Sequence, residues 1–154
     1  MFEKILVPLD GSEHSLKALN LAVQIAKNFN SKITLINVFS VSAPVVMPEP
    51  TTLTPPTVPI MAAAELSKLA ENARKTASNI LAEGEKRAEA EGVKVETLIR
   101  EGHTVQEIVK AAREGEFNLI VMGARGIGKI KGILLGSVSD GVVKNAPCPV
   151  LIVK

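Results

Sequence analysis

The sequence predicts a three-layer α/β/α sandwich around a five-stranded parallel sheet in the order 3-2-1-4-5. Apolar periodicity switches repeatedly between strand and helix along the chain. The strands read as near-continuous apolar runs, as strands covered on both faces do. Right-handed crossovers with helices on both faces then favour the doubly wound order for five strands. With 154 residues the chain suffices for one domain, 1–154, and is too short for two ordinary ones.

Each element has its own signal. Lys4 to Leu9 is a short apolar run closed by Asp10-Gly11-Ser12, a turn signature. Leu16, Leu19, Val23 and Ala26, with Ala22, Ile25 and Phe29 beside them, then recur at helical spacing. Ile33 to Phe39 is the second strand. Ser40 to Pro59 holds six prolines and is longer than an ordinary connection, so an exposed lid or insertion is expected there. A long amphipathic helix follows over about 62–91. Leu66, Leu69, Ala73, Ala77, Ile80, Leu81 and Gly84 form its apolar stripe, and a charged face lies opposite. Val93 to Ile99 alternates as a third strand. Thr104-Val-Gln-Glu107 reads as a capping box opening a helix through about Arg113. Phe117 to Met122 is the fourth strand, Ser137 to about Asn145 a short helix, and Pro149 to Val153 the last strand.

In this order the chain reverses direction between strands one and four. A crevice opens there at the strands' carboxyl ends, the expected place for a ligand. The residues at those two ends are Asp10 and Gly123. After Gly123 comes a glycine-rich segment that fails two familiar patterns. Gly123-x4-Gly128-Lys129 is followed by Ile130, so the hydroxyl of a P-loop is missing, and no G-x-G-x-x-G is present. What stands is Gly123-Ala-Arg-Gly126, nine residues, then Gly136-Ser137. Glycines permit close backbone approach, successive N–H groups can form an anion nest, and a helix start favours phosphate. The plainer alternative is a shaped loop with Ser137 and Asp140 as a capping pair, and Asp10 bonding local N–H groups in a turn.

Composition narrows the field. Aromatic residues are 3%, four Phe with no Trp or Tyr, which argues against aromatic platforms for bases, sugars or a flavin. A formal charge of +2 without a basic tract gives no nucleic-acid footprint. One Cys cannot form an internal disulfide, and His14 and His103 lie far apart with no third ligand, so a zinc site is not supported. Cys148 reads as a small core residue. The start lacks a signal-peptide pattern, and prolines break the one weakly charged stretch that could suggest a membrane span. A cytoplasmic protein with no membrane or nucleic-acid partner is expected. A phospho-accepting receiver would need an Asp at the third strand end, where Arg100-Glu101-Gly102 stands.

Val7-Pro8 with Asp10-Gly-Ser, Gly123-x2-Gly126-x9-Gly136-Ser137, and Pro147-Cys-Pro-Val-Leu-Ile-Val153 together resemble the universal stress protein family along the whole chain. The glycine pattern is similar to that of the family's ATP-binding branch. The resemblance implies a Rossmann-like fold of the adenine nucleotide alpha hydrolase type, ATP as ligand with Mg2+ or Mn2+ as candidate companions, and a homodimer, often through the last strand. It implies that Pro8, Leu9 and Asp10 border adenine and ribose, that Val38 contacts the base, and that Met122 is an apolar wall. Gly123 and Gly126 would cradle phosphate, with Arg125 a candidate phosphate contact. Gly136, Ser137, Val138 and Ser139 would complete the site. The implied role is regulation or stress adaptation. A slow ATPase or phosphotransferase using the same pocket is the alternative, and weak hydrolysis is the most expected of it, because Asp10 is the only acid near the site.

Overall fold

A computed structural model describes residues 1–41, 60–127 and 135–154. Among them the chain alternates β1 (Lys4–Pro8), α1 (Glu13–Phe29), β2 (Lys32–Phe39), α2 (Ile60–Ala90), β3 (Val95–Glu101), α3 (Thr104–Glu114), β4 (Leu119–Gly123), α4 (Ser137–Asn145) and β5 (Val150–Val153). The strands form one parallel sheet in the order β3-β2-β1-β4-β5, the predicted topology.

Side-chain alternation divides the core between two faces of this sheet. Ile5, Val7, Leu119 and Val121 pack with Leu19 and Val23 of α1 and Leu81 of α2. Leu6, Ile36, Ile120 and Met122 pack on the other face with Ile108 of α3 and Val142 of α4. All five residues of β4 are buried, as its unbroken apolar composition requires. At the turn after β1, Gly11 takes φ +82°, a conformation that glycine adopts without strain. Ser12 then caps α1, its hydroxyl accepting from the Ser15 N–H at 3.2 Å.

The structure corrects three local expectations. The third strand starts at Val95 rather than Val93, because the Val93 N–H still donates to Ala88 and closes the C-terminal turn of α2 around Gly92 (φ +78°). The capping box does not form. His103 is the N-cap, without a side-chain bond, and Thr104 is the first helical residue. Leu69 is 52% exposed although it lies on the apolar stripe. A helix of 31 residues runs about 46 Å. The longest strand, eight residues, covers about 26 Å, so the first half of α2 extends past the sheet. Ala77, Leu81 and Gly84, further along, are buried as predicted, and Ala88 beyond them is buried too.

The proline-rich stretch expected as a lid lies, from residue 42 to 59, outside the described residues, as do residues 128–134 of the glycine-rich segment. Among the described residues no helix is long and apolar enough to cross a membrane.

Candidate functional site

β1, β2 and β4 end side by side, and α3 and α4 start over them. A cavity of about 430 Å³ lies at this end of the sheet. All twelve residues expected around a ligand line it. Pro8, Leu9 and Asp10 come from the end and exit of β1, and Val38 from β2. Met122 and Gly123 close β4, Arg125 and Gly126 follow it, and Gly136, Ser137, Val138 and Ser139 open α4. Ser15, Ile36, Thr104, Ile108, Ile127 and Leu135 also contribute to the wall.

The two oxygens of Asp10 face different ways. Oδ1 accepts from the Ser12 N–H at 2.9 Å, the local turn bond that a carboxylate before Gly-Ser provides. Oδ2 faces Gly126, where an added Cβ would come within 2.6 Å of it. The turn reading of Asp10 and a ligand-facing one therefore coexist.

The three glycines differ in what they make room for. A Cβ on Gly123 would come within 2.7 Å of the His14 carbonyl carbon and 2.9 Å of the Ser15 nitrogen, so the backbone of α1 occupies the space beside it. Gly136 has φ −72°, and among the described residues an added Cβ would meet nothing closer than 3.5 Å. Gly126 is the glycine whose missing side chain leaves room for the carboxylate of Asp10.

The loop between β4 and α4 is pinned at its base. The Ala124 carbonyl accepts from the Gly136 N–H at 2.7 Å and from the buried Ser139 hydroxyl at 2.8 Å. The same hydroxyl lies 2.9 Å from the Gly136 carbonyl. Ser139 therefore holds the loop, and the Ser137–Asp140 capping pair, the plainer alternative from the sequence, does not form. Asp140 instead pairs with Lys144 at 2.8 Å. The first helical bond of α4 runs from the Asp140 N–H to Gly136, which leaves the N–H groups of Ser137, Val138 and Ser139 without carbonyl partners in the helix.

On the other side, β2 outruns β1. Pro8 pairs with Ile36, and the Leu9 N–H donates to the Ile36 carbonyl at 2.9 Å. In a parallel ladder both peptide groups of a residue bond to the same neighbour, alternating along the strand. Phe39 bonds toward β3, accepting from Gly102. Val38 thus aims its N–H and C=O toward the β1 side, beyond the end of that strand. The cavity combines an apolar wall of Ile36, Val38, Ile108 and Met122 with one donor–acceptor pair and a cluster of N–H groups. Its described lining includes one acid, Asp10, and one cation, Arg125.

A family model described as the universal stress protein family matches residues 1–154. The chain belongs to the universal stress protein family. The universal stress protein MJ0531 of Methanocaldococcus jannaschii is 38% identical over 154 residues, which is 100% of this chain and 83% of that protein. The solved universal stress protein UspA of Lactobacillus plantarum superposes with a TM-score of 0.81 at 26% identity, over 99% of this chain and 98% of that one. A universal stress protein solved in complex with cAMP gives a TM-score of 0.65 at 29% identity, over 99% and 96% of the two chains.

In this universal stress protein two of the lining residues that sequence reasoning missed share one origin. Thr104 and Ile108 lie one turn apart on α3. The topology carries α3 from one edge of the sheet back across the switch point, so its first turn must pass over the crevice. Strand order alone implies that placement, whereas the local sequence at Thr104 signals only a cap. Ile127 and Leu135 flank the undescribed part of the loop. His103 borders an adjoining cavity of about 500 Å³ and is not among the residues lining the first. Cys148 lies away from both; burial pushes its thiol pKa up and favours the protonated form. Among the described residues no three His, Cys, Asp or Glu side chains group to hold a metal ion. A divalent cation would find only Asp10 in the described wall and would take most of its oxygen ligands from a phosphate chain.

Proposed function

We propose that this protein binds an adenine nucleotide, ATP in the first instance, in the cavity at the switch point and acts as a regulatory, stress-adaptation module of the cytoplasm. The observation that carries the reading is the convergence of twelve sequence-expected residues on one cavity with a base-sized apolar end and an N–H-rich end. Adenine fits between Val38 and Met122, with the Val38 peptide pairing its edge. Asp10 Oδ2 suits the ribose hydroxyls as an acceptor. The phosphates go to Gly126 and the start of α4, where three N–H groups without partners in the helix and the helix dipole favour negative charge with few cationic side chains. Arg125 is the cation available to them. A related structure holds cAMP, which supports an adenine ligand at this kind of site.

The universal stress protein acts through its conformation or its partners, and any turnover is slow, because the described wall has no second acid to activate water beside Asp10. Mg2+ or Mn2+ would accompany the phosphates. We further propose a homodimer paired through β5, a short edge strand whose outer side pairs with no strand among the described residues. Competition among ATP, AMP, cAMP and GTP for the nucleotide-free protein tests the ligand class. Adenine nucleotides should displace one another and GTP should not; equal competition by GTP would refute adenine recognition. A phosphate-release assay with added divalent metal separates binder from ATPase.

A further inference from the structure

Asn37 is a buried polar residue, 6% exposed, on the apolar face of β2 that carries Ile33 and Leu35. A buried amide is costly unless bonded, and packing alone would favour Leu or Val there. Its Nδ2 donates to the Leu9 carbonyl at 2.7 Å. That carbonyl has a particular place in the ladder. The β1-facing rungs of β2 include the bond from the Lys32 N–H to Glu3 and the bond from the Leu9 N–H to Ile36. The next rung would run from the Val38 N–H to the Leu9 carbonyl. Asn37 bonds the acceptor of that rung, and among the described residues the Val38 N–H makes no bond to it.

We infer that Asn37 is a positioning residue that stops the β1–β2 ladder at Ile36 and so keeps the Val38 peptide open as the base-reading edge of the cavity. This role rests on the adenine reading of the cavity. Without the amide, the Leu9 carbonyl is left unsatisfied and Val38 N–H is the next donor along the ladder, so the two close on each other. The open peptide presents one donor beside one acceptor. Adenine offers the complementary pair, an acceptor at N1 and a donor at N6. Guanine offers the reverse, so it meets donor with donor and acceptor with acceptor, the kind of mismatch that discriminates strongly. Asn37 thus governs base selectivity without touching the base.

Residue-resolved amide exchange by NMR on the full chain tests this, with ATP and GTP titrations beside it. In ligand-free wild type, the Val38 amide should exchange at least about tenfold faster than that of Ile36, and ATP should slow it. In Asn37→Leu the Val38 amide should be protected without ligand, ATP affinity should fall by about tenfold, and the preference for ATP over GTP should shrink. Asn37→Ser, too short to reach Leu9, should behave alike and serves if the leucine disturbs folding. Equal protection of Val38 in wild type and variant, or an unchanged ATP-over-GTP preference, would overturn the inference. A wild type that binds no adenine nucleotide refutes the reading of the cavity, while the ligand-free exchange comparison still decides what Asn37 does.

Discussion

Gly126 and Asp10 meet across the mouth of the cavity. A side chain at 126 would press on Asp10 Oδ2 at 2.6 Å, and the carboxylate cannot swing freely because Oδ1 holds the Ser12 N–H. Gly126→Val should therefore abolish ATP binding while leaving circular dichroism and the melting temperature near wild type, since Gly126 is exposed. Loss of fold in this variant would count against that division of roles. The pattern Gly123-x2-Gly126-x9-Gly136 was legible in the sequence, but the separate reasons for each glycine were not. Spacing cannot tell a glycine kept clear for a neighbouring helix from one kept clear for a carboxylate, because that depends on which chain passes beside it. Ser139 is similar. Its sequence position suggested a ligand hydroxyl, and its buried location gives that hydroxyl to the Ala124 and Gly136 carbonyls.

Elements bring these residues together through their ends. The backbone of α1 starts so close to the end of β4 that Gly123→Ala should destabilise the protein by about 1–3 kcal/mol through overpacking, measured by urea unfolding. Ser139→Ala should cost about 1–2 kcal/mol and also weaken ATP binding, because the base of the β4–α4 loop loses a buried bond. A Ser139→Ala protein with wild-type stability and affinity would show that the loop is held otherwise. Element existence was readable throughout, because strand runs and helical spacing alternate cleanly from Lys4 to Val153. Boundaries were less so. Val93 looks like the first residue of an alternating strand, yet the turn at Gly92 keeps it bonded to α2. Leu69 looks like core by spacing, and is exposed because helix length and strand length do not match.

For the whole molecule, strand order was legible because crossover handedness leaves few alternatives, and the order alone located the crevice. The apolar end of the site was less so: Ile36 and Ile108 are ordinary core residues in sequence, and only the packing of α3 brings them to the cavity. The edge position of β5 carries the assembly prediction. Leu151 and Val153 bond toward β4, which turns the Ile152 N–H outward. Ile152→Pro removes that outward donor and spares the β4 ladder. It should convert a dimer, at twice the 16.3 kDa chain mass, into a monomer by light scattering. A wild type that is monomeric at all concentrations would remove the dimer from the account.

The absence of Trp and Tyr argues against aromatic platforms for a base, and the proposed reading of the cavity needs none. In the proposed reading, aliphatic walls and the Val38 peptide would stand in for stacking, and helix N–H groups for lysines. The most direct measurement is a calorimetric titration of ATP into protein stripped of bound nucleotide by unfolding and refolding, with the released material identified by mass spectrometry. The account predicts a co-purified adenine nucleotide, saturable binding at one site per chain, and no binding by Gly126→Val. No adenine nucleotide in the released material and no saturable heat in the wild type would contradict it.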